Sequence, residues 1–255
     1  MVHIVGAGSG DVELITVKGK RLLEEADVVI YAGSLINPEL LNFCKDGAKK
    51  YDSAYMTLAE VIHVIEQAET AGLTTVRLHT GDPSIYGAIQ EQMDELEKRN
   101  IEFDVTPGVS SFLAAAAALK QEYTLPGITQ TVIITRHGGR TPVPERERLR
   151  NLAKHETTLC IFLSVSMMSK VVEELMAGGL DSDTPIAVVE HASWPDEKTI
   201  RGTLGTIAEQ VKEAGIERTA MIVVGHCLDT HIEQYNHSQL YSPKFSHMFR
   251  KAKNK

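Results

Sequence analysis

The sequence predicts an α/β protein built from two successive α/β domains, and three observations carry that expectation. Short β-branched runs alternate with segments of helical period along nearly the whole chain. Glycine- or proline-bearing loops follow several strand runs, as in IVGAGSGD, LHTGDPSIYG and VTPGVSS. The alternation breaks once, at QEYTLPGITQ, and then restarts. The expected organisation is a first domain over 1–120, a linker over 121–128, a second domain over 129–231 and a tail over 232–255.

Taken in order, residues 2–5 read as a strand, 16–26 as a helix and 28–31 as a buried strand. In TLAEVIHVIEQAE, Thr57 and Glu60 stand at capping-box spacing ahead of a helix. A strand follows over 75–79. After the TGDPSIYG loop, Ile89, Met93 and Leu96 mark one helix face. Residues 103–105 are strand, TPGVSS is loop, and FLAAAAALK is a helix of small residues that packs closely. The second half restarts with a strand over 131–135 and the loop RHGGRTPVPE. Then come a helix over 145–154, a strand over 158–164, a helix over 169–176, the strand PIAVVE and a ribbon KTIRGTL. A helix over 204–214 and a strand over 220–224 complete the pattern.

At 255 residues and 43% apolar composition the chain is long enough for real cores. The net charge of -8 argues against wholesale wrapping of nucleic acid. Cys44, Cys160 and Cys227 are widely spaced, with no C-x-x-C, which points to a reducing cytoplasmic setting without a disulfide framework. No basic-then-apolar leader opens the sequence, and no apolar run approaches the roughly 20 residues that span a bilayer. No membrane partner is expected.

The first loop invites comparison with a dinucleotide cradle, G-x-G-x-x-G, with an acid at the end of the second strand. Gly6, Gly8 and Gly10 instead give G-x-G-x-G, Asp11 takes the last glycine's place, and Ala32 stands where the acid would be. An acid at a helix start repels a pyrophosphate. The loop therefore reads as a tight turn beside a cleft, and a dinucleotide-dependent oxidoreductase is the weaker alternative. Asp82, at a strand's C-terminal end, either presents a carboxylate to a ligand with amine and hydroxyl groups or caps the next helix. Ser110 and Ser111 offer hydroxyls from a neighbouring loop.

GAGSGDVELIT, ADVVIYAGSLI, TGDPSIYGA and TPGVSSFLAAAAAL together resemble the tetrapyrrole methyltransferases, which use S-adenosylmethionine, in order over about residues 2–230. YAGSLI, lacking an Asp after the Tyr, and TRHGGRTPVPERERL resemble the branch acting at carbon 11 of precorrin-4 or cobalt-precorrin-4 in cobalamin synthesis. The resemblance implies two α/β domains with an active-site trough between them, usually in a homodimer. It implies that Gly81, Asp82, Ile85, Tyr86, Ser110 and Ser111 contact S-adenosylmethionine, with Leu163, Ala192 and Ala220 beside it. It leaves the catalytic base unassigned, because the Asp used elsewhere is absent at Ala32. Other methyltransferases of the fold, acting on other precorrin positions, diphthamide or ribosomal RNA, stay open, as does a non-catalytic tetrapyrrole carrier.

A tetrapyrrole's carboxylates call for cations. Arg136, His137 and Arg140, in a loop after a strand, are the candidates, since arginine pairs carboxylates bidentately. Gly8 and Gly10 are expected to shape the floor under the substrate. Glu190 and His191 form either an acid–base pair or an ordinary strand end. GHCLDTH gathers His226, Cys227, Asp229 and His231 without metal-site spacing, so no protein-held metal is expected. The last 13 residues carry five cations and no acid, which reads as a solvated tail.

Overall fold

The computed structural model describes residues 1–229, 236 and 238–252. The chain forms two units: Met1–Ala118 with Glu190–Lys198, and Leu119–Val189 with Thr199–Lys255.

In the first unit the strands are β1 (Val2–Gly6), β2 (Val28–Tyr31), β3 (Lys49–Asp52), β4 (Thr75–His79) and β5 (Phe103–Thr106). The helices are α1 (Val17–Glu25), α2 (Leu58–Thr70), α3 (Gln90–Lys98) and α4 (Ser111–Leu119). The sheet order is β3-β2-β4-β1-β5, and its neighbouring strands pair in parallel. Parallel strands buried on both faces read as continuous apolar runs, as Val28–Tyr31 does. Val5, Val29, Val76 and Leu78 pack against Leu22 and Leu23 of α1 on one face. Val2, Val28 and Ile30 pack against Val61, Ile62 and Ile65 of α2 and Leu96 of α3 on the other. Thr16 caps α1 by accepting the Gly19 amide at 3.0 Å. The capping box before α2 is formed, with Thr57 and Glu60 each accepting the other's backbone N–H.

The second unit has β6 (Val132–Arg136), β7 (Thr158–Phe162), β8 (Pro185–Glu190), β9 (Lys198–Thr203) and β10 (Ala220–Val224) in the order β6-β7-β10-β8-β9. Its helices are α5 (Leu149–Leu152), α6 (Met168–Ala177) and α7 (Ile207–Glu213). β6 and β7 are parallel and β7 and β10 antiparallel. Its core joins Leu159, Ile161, Val188 and Ile222 of the sheet to Val171 and Leu175 of α6 and Ile207 and Val211 of α7.

Two elements differ from the sequence expectation. The helix expected over 145–154 is broken into a 3-10 turn over Glu145–Glu147, α5, and a 3-10 turn over Ala153–His155. Arg148 is extended there, and the Asn151 amide donates to the Glu145 carbonyl at 2.8 Å, competing with helical bonding. β3 is absent from the sequence expectation: KKYD has no apolar run, because it is an edge strand whose two lysines face water. Of the residues singled out in the tail region, His231, Lys253 and Lys255 lie outside the described residues.

Candidate cofactor and substrate site

Three loops leave the C-terminal ends of β1, β4 and β5, which lie side by side in the sheet. This is the edge at which open α/β sheets bind ligands. The loops meet backbone to backbone. Gly8 and Gly81 exchange hydrogen bonds, the Gly81 amide to the Gly8 carbonyl at 2.8 Å and the Gly8 amide to the Gly81 carbonyl at 3.2 Å. A methyl group on Gly108 would lie 2.1 Å from the Gly81 carbonyl oxygen and 2.9 Å from the Gly6 Cα, so only glycine permits this junction.

Asp82 ties the junction together. One carboxylate oxygen accepts the Ser84 amide at 2.9 Å and the Ser84 hydroxyl, and the other accepts the Gly108 amide at 2.9 Å. Burial pushes its pKa up, but the hydrogen bonds from Ser84 and Gly108 outweigh it and hold the carboxyl below the usual range. Asp82 does not cap α3, whose first turn is preceded by Ile89 without a side-chain cap. The carboxylate is thus spent on the shape of the loop pair, and Ser110, buried, supplies the carbonyl that opens α4. Gly81 packs against Ser110 at ordinary van der Waals distance: an added methyl would stand 3.6 Å from the Ser110 Cα.

The first loop closes on itself. Asp11 accepts the Glu13 amide at 2.9 Å, so the N-terminus of the short 3-10 turn over Val12–Leu14 is filled by its own carboxylate. Gly8 and Gly10 are buried. Trp194 lies against Gly10, so that a methyl there would be 2.0 Å from the indole Cδ1, and its Nε1–H donates to the Ser9 carbonyl at 3.0 Å. The Ser193 hydroxyl meets that of Ser9 at 2.9 Å and accepts the Asp11 amide at 3.2 Å. His191 holds Asp196 at 2.8 Å through Nδ1, and its ring lies 5.6 Å from that of Trp194. Ala192, between His191 and Ser193, is buried. Trp194 and Ser193 are the residues that sequence reasoning misses. The one signal is a lone Trp in HASWPDE after a strand, and nothing local ties it to a loop some 185 positions earlier.

In the second unit, Arg136, His137 and Leu163 come together at the C-terminal ends of the paired strands β6 and β7. Continuing the β7–β10 register places Ala220 opposite Leu163 at the same edge. Arg136 donates to the carbonyls of Thr141 at 3.0 Å and Pro142 at 2.9 Å, so its fork braces its own loop. The His137 amide donates to the Ser164 hydroxyl at 2.8 Å, and burial lowers the imidazole pKa against the upward pull of Glu174. Arg140 is exposed on that loop, with no ion pair among the described residues. Among the described residues no three His, Cys, Asp or Glu side chains gather as metal ligands.

Left-handed non-glycine residues lie in loops that follow strands. Tyr86 (φ 56°) follows β4, Leu163 (φ 53°) follows β7, and His191 (φ 49°) and Ser193 (φ 69°) follow β8. Each costs about 1–3 kcal/mol and persists where the surroundings hold it, commonly at ligand sites. Leu163 is 67% exposed and Tyr86 45%, large apolar groups in the loops that follow β7 and β4.

The model of the tetrapyrrole (corrin/porphyrin) methylases matches residues 1–208. The chain belongs to this family. It is 58% identical to a cobalt-precorrin-4 C(11)-methyltransferase of Methanocaldococcus jannaschii, over 100% of this chain and 97% of that protein. It is 45% identical to a precorrin-4 C(11)-methyltransferase of a Sinorhizobium species, over 98% of each. Among solved structures, a cobalt-precorrin-4 methyltransferase of cobalamin biosynthesis matches with a TM-score of 0.88 and 47% identity, over 89% of this chain and 95% of that one. The uroporphyrin-III C-methyltransferase of Thermus thermophilus, solved with S-adenosylhomocysteine, matches with a TM-score of 0.75 and 28% identity, over 89% and 92% of the two chains.

Proposed function

We propose that this methylase transfers a methyl group from S-adenosylmethionine to carbon 11 of precorrin-4 or cobalt-precorrin-4. The observation that carries the reading is the glycine junction of Gly6, Gly81 and Gly108 at one sheet edge, in a chain matched end to end by relatives of that name. Among the described residues no helix is long and apolar enough to cross a membrane. A cytoplasmic homodimer is the expected form, and light scattering tests the oligomeric state.

The residues present suit the methyl donor. It carries no phosphate, and the first loop's helix start is already filled by Asp11. The backbone of the 81–86 loop, bare of a side chain at Gly81, suits an amino-acid and ribose portion. Gly81, Asp82, Ile85, Tyr86, Ser110 and Ser111 hold it in this reading, together with Leu163, Ala192 and Ala220. Exposed Leu163 and Tyr86 suit the flat adenine. The sulfonium supplies an activated methyl group, so the protein's task is alignment, which can contribute several kcal/mol. The Asp82 bridge to Gly108 fixes the loop that does the aligning. Arg140 and His137 meet substrate carboxylates, Arg136 shapes their loop, and Gly8 and Gly10 set the floor beneath through the turn of the first loop, with Trp194 laid on Gly10. Incubation with each acceptor and the donor, followed by mass and carbon-NMR analysis, tests the reading. One added methyl at carbon 11 is expected. A methyl at another carbon, or none on either acceptor, overturns it.

A further inference from the structure

Arg77 stands apart from the loops that form the candidate site. It sits on β4 in register with Ile4 and Ile30, on the sheet face covered by α2 and α3. Only 7% of it is exposed. Its Nε donates to the Gln92 amide oxygen at 3.0 Å, and one terminal nitrogen donates to the carbonyls of Ile30 at 3.2 Å and Leu78 at 3.4 Å. All these acceptors are neutral. Among the described residues no carboxylate pairs with it. An unpaired buried cation is expensive, and burial alone lowers its pKa to about 10. Its neighbour on the same face, His79, is neutral, pushed down to about 3 by burial and then by Arg77. Among the described residues no ion pair offsets the positive charge.

The guanidinium borders a cavity of about 180 Å³. Ser53 and Thr57 line it with hydroxyls, Met56 and Val61 with apolar surface, and Ala88 and Glu91 complete part of its wall. Gln92 is pinned by donating to the Ala88 carbonyl at 3.0 Å, which aims its oxygen at the Arg77 Nε and fixes the plane of the guanidinium in advance. Ala88 directly follows the 81–87 loop, so the cavity adjoins the residues proposed for the donor.

We propose that Arg77 and this cavity hold one carboxylate arm of the tetrapyrrole acceptor; the inference rests on the function proposed above. The second terminal nitrogen, whose N–H groups are not among those given to Gln92, Ile30 and Leu78, suits one carboxylate oxygen, and Met56 and Val61 suit the methylenes of an acetate or propionate arm. A dianion fits poorly. Glu60 already occupies the start of α2 through Thr57, and Glu91 stands at the wall, so a second negative charge would be repelled.

The test uses Met56→Phe, which fills the cavity and leaves Arg77, and Arg77→Lys, which keeps the charge and loses the planar guanidinium. Sodium propionate, at fixed ionic strength against chloride and phosphate, should raise the melting temperature of the wild type and not of Met56→Phe. Acceptor KM should rise about tenfold in both variants, with S-adenosylhomocysteine affinity within about twofold of wild type. Phosphate acting as well as propionate, or propionate no better than chloride, overturns the carboxylate site. Propionate binding with acceptor KM unchanged in Met56→Phe assigns the cavity to a free carboxylate and overturns the arm. Absence of methyl transfer by the wild type defeats the proposed function instead, and the propionate result still decides the site.

Discussion

At the residue scale, Asp82 holds two loops with one carboxylate. Asp82→Asn keeps an acceptor for Ser84 but turns an N–H donor toward the Gly108 amide. The half-buried amide then loses its partner, at about 1 kcal/mol. Calorimetry should show S-adenosylhomocysteine affinity falling about tenfold or more, and unchanged affinity would remove the loop from the donor site. The pH dependence follows from the sign of the shift. A carboxyl with a lowered native pKa is deprotonated in the folded chain where the unfolded chain still binds protons. Its stabilisation is complete above the unfolded value near 4 and is lost as pH falls through the lower native value. The stability gap between wild type and Asp82→Asn, measured by denaturant titration, should therefore narrow below about pH 4. Trp194 makes a second residue-level test, since it is the only tryptophan. Gly10→Ala would put a methyl 2.0 Å from its ring. The ring must leave, and emission of the folded variant should shift to longer wavelength. An unshifted spectrum would contradict the packing of Trp194 on the first loop.

At the element scale, the loop after β6 divides its arginines by task. Arg136 spends its donors on Thr141 and Pro142, whereas Arg140 stands exposed. Arg136→Ala should cost about 0.5–1.5 kcal/mol, the net worth of hydrogen bonds whose exposed acceptors water then satisfies. Arg140→Ala should leave stability within about 0.5 kcal/mol and raise the acceptor KM several-fold. Steady-state kinetics beside urea denaturation separates the two, and an Arg140→Ala enzyme with ordinary acceptor KM would move the substrate contact elsewhere. Both arginines are visible in the sequence but this division is not, because it depends on where the loop's carbonyls turn. Short-range features are legible for the same reason. Thr57 and Glu60 are three apart, and their box is formed as expected. Thr16, expected as the first residue of its helix, is the cap one position before it. Lys49–Asp52 carries no apolar signal, since an edge strand needs little apolar surface. The Asp82–Gly108 bond joins positions 26 apart, and Trp194 reaches Ser9 across 185, so local pattern is silent on both.

At the scale of the whole molecule, each unit buries its own core, and the proposed donor contacts fall on both. Gly81, Asp82, Ile85, Tyr86, Ser110, Ser111 and Ala192 belong to the first unit, and Leu163 and Ala220 to the second. The proposed acceptor contacts Arg140 and His137 belong to the second, and Arg77 to the first. A ligand that binds only the folded chain stabilises it by mass action, about 2.7 kcal/mol at a hundred times its Kd. Exchange of amides that open locally slows where the ligand sits. Saturating S-adenosylhomocysteine should therefore slow hydrogen exchange in peptides over 80–88 and 107–114, and also in those over 160–166 and 219–222. Peptides over 137–141 should respond only when acceptor is added. Mass spectrometry of exchanged peptides reads each segment separately. Protection confined to the first-unit peptides would strike Leu163 and Ala220 from the site while leaving the glycine junction in place. Protection confined to the second unit would do the opposite, because the 81–87 loop and its Asp82 tether would then serve the fold alone.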